Sequence, residues 1–176
     1  MKKLLVLFLA LGLTFVLAAC GSTEDVSTGA ETSKESSESK KNSDKEDGSK
    51  KVDASDQKTE ALGMKVNLGD IKIMKDKINV GINIENTTDS ALSFYPDQGT
   101  AVIGSMQIEA NLFMTDGSIG GDVEGGVKQD GVIQFLAPEG KEIDVDGIKE
   151  IKLKFGDVMT EDFMKNEEVT FTVPVK

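Results

Sequence analysis

The sequence predicts an all-β fold, an antiparallel β-sandwich preceded by a signal peptide and a disordered tether. Three observations predict it. From residue 61 onward, apolar and polar side chains alternate with period two in run after run. Polar turn signals separate these runs about every eight to twelve residues. Ahead of them stand 40 residues, 21–60, almost without apolar side chains, and ahead of those an apolar N-terminal stretch.

That stretch comes first in the chain. Lys2 and Lys3 form a short basic start, and Leu4 to Val16 follow as 13 mostly apolar residues. A membrane-spanning helix needs about 20. The run therefore has the three-part layout of a secretory signal peptide rather than a transmembrane segment. A buried core helix is the plainer alternative, but the run opens into a polar tail that offers it no packing partner. Leu17, Ala18 and Ala19 then lead to Cys20, the single cysteine of the chain, so no intramolecular disulfide can form.

The tetrapeptide LAAC, residues 17–20, resembles the lipobox of bacterial lipoproteins. The resemblance implies a signal peptide over 1–19, cleavage between Ala19 and Cys20, and a diacylglyceryl group on the Cys20 sulfur. An N-acyl chain such as palmitate would complete the anchor, with no other cofactor. A thiol is the strong nucleophile that such a transfer needs. Each buried CH₂ contributes about 0.8 kcal/mol, so two chains hold firmly where one binds reversibly. The implied location is the extracellular face of the cell membrane, with the membrane a partner through the lipid.

Residues 20–60 form the lipidated N-terminus and a polar linker. Within 21–60, Val26 and Val52 are the only large apolar side chains, among 11 acidic residues and 7 lysines. Such a composition cannot bury enough surface to offset chain entropy, which predicts disorder. A flexible chain of that length spans on the order of 35 Å. The expected role is a spacer. The stretch DKEDG, 44–48, offers a calcium-loop reading, but the alternate ligands are missing and the twelfth position from Asp44 is Ser55, not glutamate.

The expected domain covers 61–176. KINVGINIE, 77–85, places Ile78, Val80, Ile82 and Ile84 on one face and Asn79, Gly81, Asn83 and Glu85 on the other, which is expected to meet water. IKLKF, 151–155, and EVTFTVPV, 168–175, alternate in the same way. These read as half-buried antiparallel strands. Shorter strands are expected at 65–68, 71–74, 92–95, 100–103, 106–113 and 131–136. Turns are expected at ENTTDS (85–90), YPDQG (95–99), TDGS (115–118) and VDGI (145–148), the last two carrying the Asp-Gly hairpin dipeptide. TEDFMK, 160–165, is the one helical hint, with Thr160 as N-cap. Seven to nine short strands suggest an immunoglobulin-like sandwich, with a small closed barrel as the alternative.

The strand-turn VGINIENTTDSALSF (80–94), the following PDQGTAVI (96–103) and the final VTFTVPV resemble a family of immunoglobulin-like domains of unknown function common in Gram-positive lipoproteins. The order APEGKE departs from the Pro-Gly that usually precedes a late strand in that family. The resemblance implies no catalytic residues.

Charge and composition exclude several functions. The formal net charge is −11, with −9 in residues 61–176. An acidic domain repels nucleic acid and anionic headgroups. The chain has no histidine, arginine or tryptophan, so the usual general base and the bidentate phosphate clamp are missing. The glycine-rich segment 116–131 lacks the Gly-Lys-Ser/Thr of a phosphate cradle. Asp116, Asp122, Glu124 and Asp130 could converge there on a divalent cation; the plainer reading is a mobile acidic hairpin. Asn86-Thr87-Thr88 fits a glycosylation sequon and reads more simply as a turn. Met106, Met114, Met159 and Met164 offer a soft metal or partner surface, against the commoner role of gap-filling in a core. Phe94 and Tyr95, at a strand end, are the chosen partner-contact residues.

The resulting expectation is a non-enzymatic module that binds an unknown envelope or extracellular protein, with no nucleic acid, no metal and no catalytic residue. The alternative is a small-ligand or divalent-cation-binding lipoprotein.

Overall fold

The computed structural model of the chain describes residues 25–30 and 48–176. The signal peptide, Cys20, the Ala19–Cys20 junction and most of DKEDG lie outside the described residues. Among the described residues, twelve strands form two antiparallel six-stranded sheets. The first sheet holds β1 (Lys50–Asp53), β2 (Lys58–Ala61), β3 (Met64–Ile73) and β4 (Lys77–Asn86). The chain then crosses to the second sheet for β5 (Leu92–Phe94), β6 (Thr100–Ile103) and β7 (Met106–Glu109). It returns for β8 (Asp116–Ser118), crosses for β9 (Gly121–Val123) and returns again for β10 (Lys128–Leu136). β11 (Glu150–Thr160) and β12 (Asn166–Pro174) complete the second sheet.

The order in the first sheet is β1–β3–β4–β10–β8, with β2 also on β3. In the second, β12 lies along one flank of β11, and β6 and β5 share the other, leading out to β7 and β9. The expected β-sandwich is therefore the observed architecture. Alternation builds its core. Ile78, Val80, Ile82 and Ile84 of β4 are buried, as are Ile151, Leu153 and Phe155 of β11 and Val169, Phe171 and Val173 of β12. Phe155 joins the layers. Its ring centroid lies 6.3 Å from that of Phe135 in the opposite sheet and 6.1 Å from that of Phe171, the latter edge-on. Such pairs add about 0.5–1.5 kcal/mol beyond area burial.

Two bulges explain where strand reading by alternation breaks. In β3 the inward positions run Met64, Val66, Leu68 and then Ile71, Ile73. The register on β4 shifts between Leu68 and Ile71. The extra residue splits one strand into the two expected at 65–68 and 71–74. In β11 the register shifts between Lys154 and Gly156, and Gly156 takes φ +88°. Inward positions move from Phe155 to Val158. The strand thus runs five residues past the expected end at 155.

The boundary expected at 61 is also corrected. β1 lies inside the expected linker, β2 runs across its end to Ala61, and both pair with the same edge of β3. They read as one broken strand, interrupted at 54–57 opposite the β3 bulge, where Ala54 N donates to Gly69 O and Leu68 N to Gln57 O. Their backbones satisfy that edge, so a polar composition with one valine suffices. Residues 25–30 lie across the same sheet, on β3 and β4. The outer side of β4 is therefore covered rather than wet: Gly81 is buried, and Asn79 is buried against Gln134, whose amide donates to it at 3.1 Å.

Two local expectations fail and a third holds only in part. Residues 160–165 form a tight β11–β12 hairpin, not a helix: Thr160 N donates to Lys165 O, and Phe163 takes φ +56°. Asp116–Ser118 is the strand β8, not a hairpin turn. VDGI does form a turn, with Gly147 N donating to Asp144 O, but it lies in the 137–149 crossover between sheets rather than in a hairpin.

Candidate functional site

The most exposed apolar group of the domain grows out of a sheet crossing. β7 leaves the second sheet at Glu109. Ala110 bridges Phe135, and Asn111 N donates to Gln134 O at 2.7 Å, which attaches the chain to the free edge of β10. Before pairing resumes at β8, the chain turns outward through a 3₁₀ turn, Leu112–Met114. Asn111 holds it: its Oδ1 accepts Phe113 N at 3.0 Å and its backbone carbonyl accepts Met114 N at 3.0 Å. The turn lifts Leu112 and Met114 half out of the surface and leaves Phe113 93% exposed. Beside it runs a groove of about 440 Å³, whose apolar lining includes Ile108, Ala110, Leu112, Leu136 and Pro138. Burying one large apolar side chain contributes about 1.5–3 kcal/mol, so covering this edge would be favourable.

The strand expected at 106–113 thus ends at Glu109. Three consecutive apolar residues, Leu112 to Met114, break the alternation, and that break was the available signal. A second exposed pair, Phe163 and Met164, sits at the tip of the β11–β12 hairpin. Leu62 N donates to Glu167 Oε2 and Met64 pairs with Asn86, which puts this tip at the Asn86 end of β4. Leu136 pairs with Lys77, so the Phe113 group lies at the opposite end.

The residues singled out from the sequence fall in different places. Phe94 is 0% exposed, and this corrects its assignment as a contact residue. It shares the parity of Leu92 and so points into the core. Tyr95 is exposed. The four acidic residues of 116–131 are divided between the layers. Asp116 lies on β8 and Asp130 on β10 in the first sheet; Asp122 lies on β9 in the second and accepts the Ser93 hydroxyl at 2.6 Å; Glu124 sits in the following turn. Gly120 and Gly121, both near φ +95°, let the chain change sheets within two residues. Among the described residues, no three His, Cys, Asp or Glu side chains are grouped to hold a metal ion. The structure therefore does not bring together the four carboxylates that the sequence offered as candidates for a cation site. The four methionines do not share a surface either. Met106 pairs with Ile103 beside the start of β11, while Met159 and Met164 lie at its far end. Asn86 is 0% exposed, with its amide donating to Ser90 O and Val123 O at 2.8 Å each, so it is a turn organiser rather than an open sequon.

One half-buried carboxyl stands apart. Asp97 Oδ1 is itself buried without a hydrogen-bond partner, and burial raises the carboxyl above its ordinary range, against a smaller opposing influence of its own backbone N–H. A raised carboxyl favours the protonated form in the fold, so its ionisation opposes stability as pH rises. Asp97→Asn should therefore raise the melting midpoint at neutral pH, and the gain should shrink on acidification through the carboxylate range. Melts of both chains at several pH values check this; a gain that does not vary with pH counts against it.

No protein-family model and no curated protein matches this chain. Solved structures do. A functionally unknown protein from Listeria monocytogenes EGD-e matches with TM-score 0.54 and 12% identity, over 72% of this chain and 86% of that one. A putative lipoprotein, ycdA, from Bacillus subtilis matches with TM-score 0.47 and 13% identity, over 70% of this chain and 39% of that one. The yjhA protein of Bacillus subtilis matches with TM-score 0.43 and 12% identity, over 68% and 96%. At these identities the Listeria likeness establishes a shared fold and nothing of function.

Proposed function

We propose that this chain is a lipid-anchored module on the outer face of the cell membrane that binds another envelope or extracellular protein and catalyses no reaction. The observation that carries the binding half is Phe113, almost fully exposed beside an apolar groove at a sheet edge. Aromatic side chains set in such surroundings are the usual anchors of protein interfaces. The lipid half rests on LAAC and the apolar run before it.

Each half has its own test. Cys20→Ser removes the only thiol, so the chain should leave the membrane fraction and take up no labelled fatty acid; continued labelling overturns the anchor. A photo-cross-linking side chain at Phe113 should give a discrete heavier product in intact cells, whereas the same group at Thr170, exposed on β12, should not. Phe113→Ser should weaken that partner by about tenfold or more while shifting stability by less than about 0.5 kcal/mol. Equal cross-linking from both positions overturns the assigned surface.

A further inference from the structure

The outer face of the first sheet carries a groove that is already filled. Ser27 lies over the β3 bulge, and Asp70 holds it at both backbone groups: Asp70 N donates to Ser27 O at 2.8 Å, and Ser27 N donates to Asp70 Oδ2 at 3.0 Å. Asn83 Nδ2 donates to Thr28 O at 2.8 Å, and its Oδ1 accepts Asn67 Nδ2 at 2.9 Å, which fixes the amide's orientation. Thr28 Oγ1 donates to Asp130 Oδ2 at 3.2 Å, and Lys51 Nζ donates to Asp25 O at 2.8 Å. Val26, the first apolar side chain after Cys20, is only 6% exposed.

The floor of this groove is the telling part. A Cβ on Gly69 or on Gly81 would lie 2.0 Å from Ser27 O. Neither glycine has a left-handed φ, so neither is required by its own backbone. Glycine inside a strand is destabilising by roughly 0.5–1 kcal/mol relative to alanine. Two of them facing the same carbonyl are explained by the backbone that crosses there.

We propose that residues 25–30 are a latch: the groove over Gly69 and Gly81 is a docking site for an extended peptide, read through its backbone and one β-branched apolar side chain, and its occupant is this chain's own N-terminal segment. Docking sets the reach of the domain from its anchor. With the latch seated, five residue steps run from Cys20 to Asp25, at most about 17 Å; with it free, thirty steps run from Cys20 to Lys50, at most about 100 Å. The latch stands on geometry alone, whereas its effect on reach rests on the proposed lipid at Cys20.

The test uses the full lipidated chain in liposomes. Hydrogen exchange should find the Ser27 and Asp70 amides protected, and Gly81→Ala or Gly69→Ala should speed both by about tenfold or more while β10 amides keep their protection. Val26→Asp, which alters the strap alone, should do the same and covers the case in which a glycine variant fails to fold. A wild-type Ser27 amide that exchanges as fast as in a free peptide overturns the latch. In a second measurement a dye on Ser105→Cys, the only free thiol once Cys20 is lipidated, reports energy transfer to labelled headgroups. Transfer should fall in Gly81→Ala. Unchanged transfer with protection lost overturns the reach inference while leaving the latch, and the fault then lies with the anchor.

Discussion

Ile82→Asp should leave most molecules unfolded or aggregated. Ile82 is 0% exposed at the centre of β4, opposite Leu68 on one side and Gly131 on the other. A carboxylate there has no cation or donor within its apolar surroundings, so it either stays charged at a cost of several kcal/mol or binds a proton at comparable cost. Domains of this size have about 5–15 kcal/mol in hand. Cooperative melts of the full chain, followed by circular dichroism, check it; a variant that melts within a few degrees of the wild type would mean that this face is not the core.

The neighbouring substitution is the internal control. From alternation alone Asn83→Asp should be neutral, because the opposite face is expected to meet water. The structure changes the expected size of the effect. Asn83 donates to Thr28 O, accepts from Asn67 and lies opposite Asp130 in the register. An aspartate keeps the acceptor and loses the donor, and it adds a like charge beside Asp130. About 1 kcal/mol is expected, concentrated in the latch rather than the core. The gap between the two variants reports the alternation of faces.

That pair also shows what the sequence makes legible. The inward set of β4 is written in four β-branched residues at period two, and nothing in the structure disturbs it. The outward set is not, because what covers Gly81 lies more than fifty positions earlier in a segment of polar composition. Long-range backbone contacts leave little trace in side-chain pattern. The trace here was Val26, an apolar side chain in a tail with almost no others, together with two glycines in consecutive strands. β1 and β2 were hidden for the same reason, since edge pairing uses backbone groups that every sequence has. Bulges hide differently: they shift the phase, so a strand such as β11 reads as ending where its alternation slips. At the candidate surface, Phe94 was misplaced although its parity with Leu92 pointed inward, and Phe113 was missed because it was counted as a strand end.

Asn86 should prove the most sensitive polar position in the domain. It ends β4, and its side chain makes four hydrogen bonds while fully buried. Nδ2 donates to Ser90 O and Val123 O, and Oδ1 accepts Thr88 N at 3.0 Å and the Thr88 hydroxyl at 2.8 Å. Val123 belongs to β9, so this one amide ties the end of a first-sheet strand to the second sheet. Asn86→Leu keeps the bulk and removes every bond. Each buried group left without a partner costs about 1–3 kcal/mol, and even with water reaching the exposed Thr88 and Ser90 side of the turn, a loss of about 3 kcal/mol or more is expected. Asn86→Asp separates the two halves of the amide. It keeps an acceptor for Thr88 but turns an oxygen toward two carbonyls. Burial and those carbonyls disfavour the charged form, so the new carboxyl should have a higher pKa folded than unfolded. For a carboxyl raised in this way, the variant's stability relative to wild type is greatest below its unfolded pKa and falls as pH rises through the folded one. When protonated it can donate to one carbonyl and recover part of the network. The deficit against wild type should therefore be smallest in acid and widen toward neutrality, the reverse of ordinary acid denaturation. Paired melts near pH 4 and pH 7 decide it. A deficit that is the same at both, or an Asn86→Leu chain melting within about 2 °C of wild type, would show that this asparagine does not hold the two sheets together.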